Sequence, residues 1–207
     1  MAGHLGFRSL VAAIMLAGLS DAVAGEEAGR PTIIVEFFDH AGLSAETLTR
    51  AKHDVSRIYG DVGVEVLWTD VAGKDAHGRF VIHLMIRPRA ARPRVMGSAF
   101  SNPHGTGGTA FVYRDRVLDV ARSRDVDVAR VLAYAMAHEM GHLLLPYPSH
   151  AVAGIMHADW NGDELRDIGA GSLRFTPEQA NAIRAKASAP RAVTTVAGRA
   201  DSPLSDP

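Results

Sequence analysis

The feature that most constrains this chain is a strongly apolar segment that runs directly into two histidines and a glutamate. The residues from Val131 to Ala137 are apolar almost without a break, and His138, Glu139 and His142 follow them. A helix that is apolar all round is typical of a protein interior. Burying three titratable side chains without partners would cost several kcal/mol. We therefore expect these three side chains to meet a common partner.

The spacing of these residues predicts a metal site. Side chains four positions apart lie on one face of a helix, so His138 and His142 can reach one tetrahedral ion while Glu139 leans toward its open position. The chain has no cysteine, so a metal must be held by His, Asp or Glu. The alternative is a pair of core histidines bonded to carbonyl groups, with the glutamate in a buried ion pair. Gly141 costs roughly 1 kcal/mol inside a helix, which indicates a tightly packed neighbour there.

A catalytic zinc site needs a third protein ligand. His150 is the first candidate, because Pro146 ends the helix and the short turn after it can bring the chain back under the metal. Glu164 is the rival, since a carboxylate about twenty residues beyond the second histidine completes some zinc sites. Against Glu164, Asn161-Gly162-Asp163 is typical of a turn, and no helical pattern surrounds it. The other downstream candidates are His157, Asp159 and Asp163.

The rest of the sequence predicts strands that alternate with helices. We expect a β-α-β start, a later strand entered from a glycine-rich turn, a long apolar helix that ends at Pro146, and a last helix that begins at Thr176. The later strand is expected to be an unpaired edge beside the site, where an extended substrate could pair with it. The predicted strands are 32–38, 64–68, 80–86 and 109–113, and the predicted helices are 44–58, 125–145 and one from 176.

The motif and the residues that follow it resemble those of a known protein family. The run His138-Glu139-Met140-Gly141-His142, followed by His150 and then by Gly154-Ile155-Met156, resembles the zincin metallopeptidases, and among them the metzincin-like group with a third histidine and a methionine turn. It is also similar to small exported bacterial zincin-like proteins. The resemblance implies an α+β fold, with a small mixed β-sheet packed on helices and a central active-site helix followed by the Met-turn.

The resemblance also implies an activity. Zn²⁺ would be held by His138, His142 and His150, Met156 would lie under the metal, and Glu139 would activate a zinc-bound water that hydrolyses peptide bonds. Such an enzyme is a hydrolase, expected here to be an endopeptidase acting on a peptide or protein. Tyr147 or Tyr113 could help to stabilise the oxyanion. The alternative is a non-catalytic zincin-like zinc-binding domain that acts in protein binding, although such a domain would not need Glu139.

Both ends of the chain are predicted to lie outside the folded domain. Arg8 precedes an apolar run over 10–19 that is short for a bilayer, and Ala22-Val23-Ala24 suits a signal peptidase. This predicts a signal peptide over 1–24, a single zincin-like domain over 25–188, a disordered tail over 189–207, and a secreted or periplasmic monomer. The alternative is an uncleaved anchor helix. The formal net charge of −1 gives no reason to expect nucleic acid as a partner.

Overall fold

The computed structural model describes residues 29–69, 79–87, 95–102 and 107–189. The predicted signal peptide and nearly all of the predicted C-terminal tail lie outside these residues. Among the helices of the described ranges, none combines the length and the apolar character that a membrane span requires.

A mixed five-stranded sheet forms one layer of the molecule. Its order is β2-β1-β3-β5-β4, with β4 antiparallel to β5 and every other neighbouring pair parallel. Alternate side chains of the central strands, such as Val35 and Ile82, are fully buried on the face that carries the helices. The strands are β1 (Thr32–Asp39), β2 (Glu65–Thr69), β3 (Arg79–Met85), β4 (Gly97–Ser101) and β5 (Gly108–Tyr113).

The helices pack around one central member. That member, α3, contacts the other four helices as well as strands β3, β4 and β5. Asp127 caps its first turn by accepting a hydrogen bond from the amide of Arg130. Its side chains are buried on nearly every side, as the apolar sequence predicts. The helices are α1 (Ala45–Asp61), α2 (Arg114–Arg124), α3 (Val128–Leu144), α4 (Gly162–Ala170) and α5 (Pro177–Ser188).

The predicted fold class is confirmed: a small mixed sheet packs on helices, and a central helix is followed by a methionine turn. The β-α-β start is also present as β1, α1 and β2. One prediction about the sheet is wrong. The strand at 109–113 is not an unpaired edge, because β5 lies between β3 and β4 and the edge position belongs to β4. Neither β4 nor α2 is predicted by the sequence analysis.

The prediction that Asn161-Gly162-Asp163 is only a turn is also wrong. Asn161 is the N-cap of α4, and its side chain accepts hydrogen bonds from the amides of Asp163 and Glu164. The Glu164 carboxylate returns the interaction by accepting from the Asn161 amide at 2.8 Å. This reciprocal capping box starts a helix where the turn-forming residues indicated a loop.

A buried tyrosine ties α1 to α3. The hydroxyl of Tyr59 donates a hydrogen bond to the carbonyl of Ala137 at 3.0 Å, one residue before the first histidine. The ring of Tyr59 also packs on Phe175, with 5.5 Å between the centroids. The two contacts fix the position of α3 in the core.

We expect Tyr59→Phe to lower the free energy of unfolding by about 1 kcal/mol, because one buried hydrogen bond is lost while the ring contacts remain. Urea denaturation followed by circular dichroism measures the change. Tyr147→Phe is the matched control, since Tyr147 is 97% exposed and should leave stability unchanged. Equal stability of both variants would show that the Tyr59 hydroxyl does not help to hold α3.

Candidate metal centre

Three imidazole rings converge at the C-terminal end of α3. The Nε2 atoms of His138 and His142 lie 3.1 Å apart, and one ring nitrogen from each of His138, His142 and His150 lies within 4.8 Å of the others. Two nitrogen ligands of a tetrahedral zinc ion, each ~2.0–2.1 Å from the metal, lie roughly 3.3 Å apart. The donor set and its spacing therefore fit Zn²⁺, and the structure brings together the three histidines that the sequence analysis singled out.

Hydrogen bonds orient two of these rings. Nδ1 of His138 lies 2.7 Å from the carbonyl oxygen of Ile155, which can only accept, so this nitrogen carries the proton. Nδ1 of His142 lies 2.6 Å from the hydroxyl of Ser149. In both rings the interaction at Nδ1 directs Nε2 to the cluster, the arrangement that outer partners impose on metal-binding histidines.

Burial and mutual repulsion keep these rings neutral. Burial, with a smaller contribution from the neighbouring imidazoles, lowers the pKa of His138 to about 4. Burial likewise lowers the pKa of His142 to about 4, with a contribution from His150. Both rings are therefore uncharged at neutral pH, which is the form that binds a metal.

Glu139 is buried beside the histidines, with 5% of its surface exposed. Burial raises the pKa of its carboxyl to about 8. Gly97, the first residue of edge strand β4, lies against this side chain: a Cβ atom at Gly97 would stand 2.5 Å from Oε1 of Glu139. Only glycine leaves room there, so β4 and the carboxylate are fitted to each other.

The methionine turn lies against the other side of α3. Met156 is fully buried, and its sulfur occupies the space that a Cβ at Gly141 would need. This is the tight packing that a glycine inside the helix indicated. Gly154 gives the turn its shape with a φ of 82°, where a Cβ would also meet the carbonyl oxygen of Arg174 at 2.7 Å. Next along the chain, Trp160 packs edge-on against His138, with 5.8 Å between the centroids.

The rival ligand Glu164 is engaged elsewhere. Its carboxylate oxygens lie 2.6 Å and 2.7 Å from Nδ1 of His157, and one of them also accepts from the Asn161 amide. It does not belong to the group of side chains that converge with His138. The signal that could have identified this role was the capping-box pattern of Asn161 and Glu164.

A cavity of 910 Å³ contains the histidines and Glu139. Strand β4, the segment after α3 and residues 157–161 line it, and it extends to the end of α2. Tyr147 stands at the cavity but is 97% exposed. Tyr113, the other tyrosine considered for the oxyanion, lies outside the described lining, and its hydroxyl is 3.0 Å from that of Ser98.

We expect Gly141→Ala to destabilise the protein by about 1–2 kcal/mol, because overpacking Met156 outweighs the gain in helix propensity. The thermal unfolding midpoint of the metal-free protein measures this. Gly60→Ala in α1 is the matched control: nothing lies within 4 Å of its added Cβ, so it should be neutral or stabilising. An equal gain in both variants would contradict tight packing at Gly141.

Comparisons with known proteins do not assign this chain to a family. A scan against protein families yields no match, and neither does a search of curated proteins. Among solved structures, the chain is similar to the archaemetzincin of Methanopyrus kandleri, with 17% sequence identity and a TM-score of 0.45 over 77% of this chain and 97% of that one. Because this likeness is distant, the roles of His138, Glu139, His142 and His150 rest on their own geometry.

Proposed function

We propose that this protein is an exported zinc-dependent metallopeptidase that hydrolyses peptide bonds. We expect it to be an endopeptidase. The observation that carries the proposal is the convergence of His138, His142 and His150 in the cavity that also holds Glu139. Three imidazoles leave one position of a tetrahedral ion open, as in catalytic rather than structural zinc sites. The apolar run over 10–19 followed by Ala22-Val23-Ala24 supports export, and we propose a secreted or periplasmic monomer.

In the proposed hydrolysis, the histidines would hold the zinc ion and Glu139 would transfer the proton. A bound zinc ion would lower the pKa of a water molecule and polarise the scissile carbonyl group. Glu139 would accept the proton of that water and return it to the amide nitrogen that leaves. Burial raises the pKa of the Glu139 carboxyl, and the charge of a bound zinc ion would oppose that effect and favour the carboxylate that accepts a proton. His138 and His142 are held by Ile155 and Ser149, so they present their lone pairs without reorganisation.

The sheet offers a place for an extended peptide. β4 is one of the two edge strands, and its first residue, Gly97, touches Glu139. A strand added to this edge would pass beside the carboxylate with its backbone hydrogen-bonded in one register. The polypeptide substrate that we propose therefore fits the cavity lining, and nothing in the charge of the chain favours a nucleic acid.

The second candidate is a zinc-binding domain that binds other proteins without cleaving them. Glu139 argues against it. Burial is the cause of the raised pKa of this carboxyl, and a buried carboxyl group is costly to keep. A domain that only binds gains nothing from such a residue, whereas a hydrolase needs it.

We expect Glu139→Gln to retain zinc at the wild-type level and to lose at least ~100-fold in kcat, since general-base assistance is typically worth that much. Metal analysis and a peptide-library digest, with and without chelator, measure the two properties. Glu46→Gln on the exposed start of α1 is the control for loss of a carboxylate. Loss of zinc from Glu139→Gln would mean that this residue is a ligand, and full activity would place the chemistry elsewhere.

We expect His150→Ala to weaken zinc binding at least ~10-fold, because a direct ligand should matter at least as much as the partners that orient ligands. Competition with a calibrated chelator measures the affinity. Glu164→Gln should bind zinc as tightly as the wild type, because its carboxylate contacts His157 and Asn161 instead. If Glu164→Gln lost zinc and His150→Ala kept it, Glu164 would be the third zinc ligand. The peptidase proposal would still hold.

A further inference from the structure

The pair formed by His157 and Glu164 has no part in the chemistry described so far. Glu164 is buried, with 8% of its side chain exposed, whereas His157 keeps 25% of its side chain exposed. Nδ1 of His157 lies within 2.7 Å of both carboxylate oxygens. Since a carboxylate accepts hydrogen bonds, Nδ1 is the donor. Nε2 is then the ring nitrogen that Glu164 leaves free.

The backbone holds His157 in the wall of the cavity that contains the candidate metal centre. His157 follows Met156 directly, its amide donates to the carbonyl of Gly154 at 3.0 Å, and it pairs with Ala151 in an isolated β-bridge. The residue lines the same cavity as the three converging histidines and Glu139. A fixed loop therefore presents a partly exposed imidazole to the space in which a substrate would react.

We propose that His157 is a further catalytic residue, which donates a hydrogen bond from Nε2 to the substrate carbonyl oxygen as that oxygen becomes negative, and that Glu164 is its positioning residue. The proposal rests on the peptidase function proposed above. A ring that carries a proton on both nitrogens can donate to the carboxylate and to the oxyanion together, while Glu164 compensates its charge. One such preorganised donor is worth ~100-fold to 1000-fold in rate.

Three observations separate this role from other roles. His157 does not belong to the converging group of His138, His142 and His150, so it is not a fourth member of the metal set. Glu164 also completes the capping box of α4 with Asn161, and that structural task needs no histidine. Of the tyrosines considered for the oxyanion, Tyr147 is 97% exposed, so its ring has no contacts that would fix it for this role.

The test compares two inhibitors on the zinc-loaded protein by calorimetry. A phosphinic pseudopeptide carries an anionic tetrahedral group in place of the oxyanion, whereas a thiol peptide with the same side chains binds the metal without one. We expect His157→Asn to weaken the phosphinic compound ~100-fold and the thiol compound less than ~2-fold, with zinc content and melting temperature unchanged. Asparagine suits this test, because its amide still offers Glu164 a donor near the Nδ1 position.

Three further variants sharpen the result. His157→Gln places an amide nearer the Nε2 position and should restore part of the phosphinic affinity. Glu164→Gln should weaken that compound less than His157→Asn does, because the ring loses its charge partner but keeps an acceptor. His53→Asn is the matched control, since His53 also lies beside a carboxylate, 3.8 Å from that of Asp54, but on the exposed face of α1. It should change neither affinity.

Equal weakening of both inhibitors by His157→Asn, or loss of zinc, would overturn the proposal in favour of a structural role. Unchanged phosphinic affinity would overturn it as well. Failure of the peptidase proposal looks different: zinc-loaded wild-type protein would then bind neither inhibitor and cleave no peptide, and the assignment of His157 would fall with it. In peptide digestion, we expect His157→Asn to lower kcat with little change in KM.

Discussion

The structure depends on the burial of α3 together with the polar groups that it carries. A helix enclosed by four other helices and three strands leaves little room for solvent around its side chains, so each buried polar group needs a partner. Ile155 and Ser149 supply partners for the outer nitrogens of His138 and His142. The inner nitrogens lie 3.1 Å apart, a spacing that suits two ligands of one metal ion.

Small residues make this enclosure possible. The absence of a side chain at Gly141 lets Met156 lie directly on α3, and the absence of one at Gly97 lets β4 pass over Glu139. Larger residues at these positions would push the methionine turn and the edge strand away from the helix. The polar groups at the centre of the site are therefore held by close packing on both sides as well as by hydrogen bonds.

The parts of the structure that the sequence predicts are those with a local signal. The helix over 125–145 and the convergence of His138 with His142 follow from apolar periodicity and from a spacing of four residues. β4 was missed because Gly97–Ser101 has small and polar residues and no alternation of its own; its place depends on pairing with β5. The helix that contains Glu164 was missed because the residues that favour turns also favour helix N-caps. The contact of Glu164 with His157 has no local signal, because it is fixed by the tertiary fold.

The carbonyl oxygen of Ile155 has a consequence for how the site tolerates change. It accepts from Nδ1 of His138 at 2.7 Å and from the indole nitrogen of Trp160 at 3.2 Å, so both of its lone pairs are in use. One peptide unit thus fixes both the orientation of the His138 ring and the position of Trp160 in the cavity wall. A substitution that tilts this unit would alter the metal environment and the shape available to substrate as a single event, so that in evolution neither property could drift without the other.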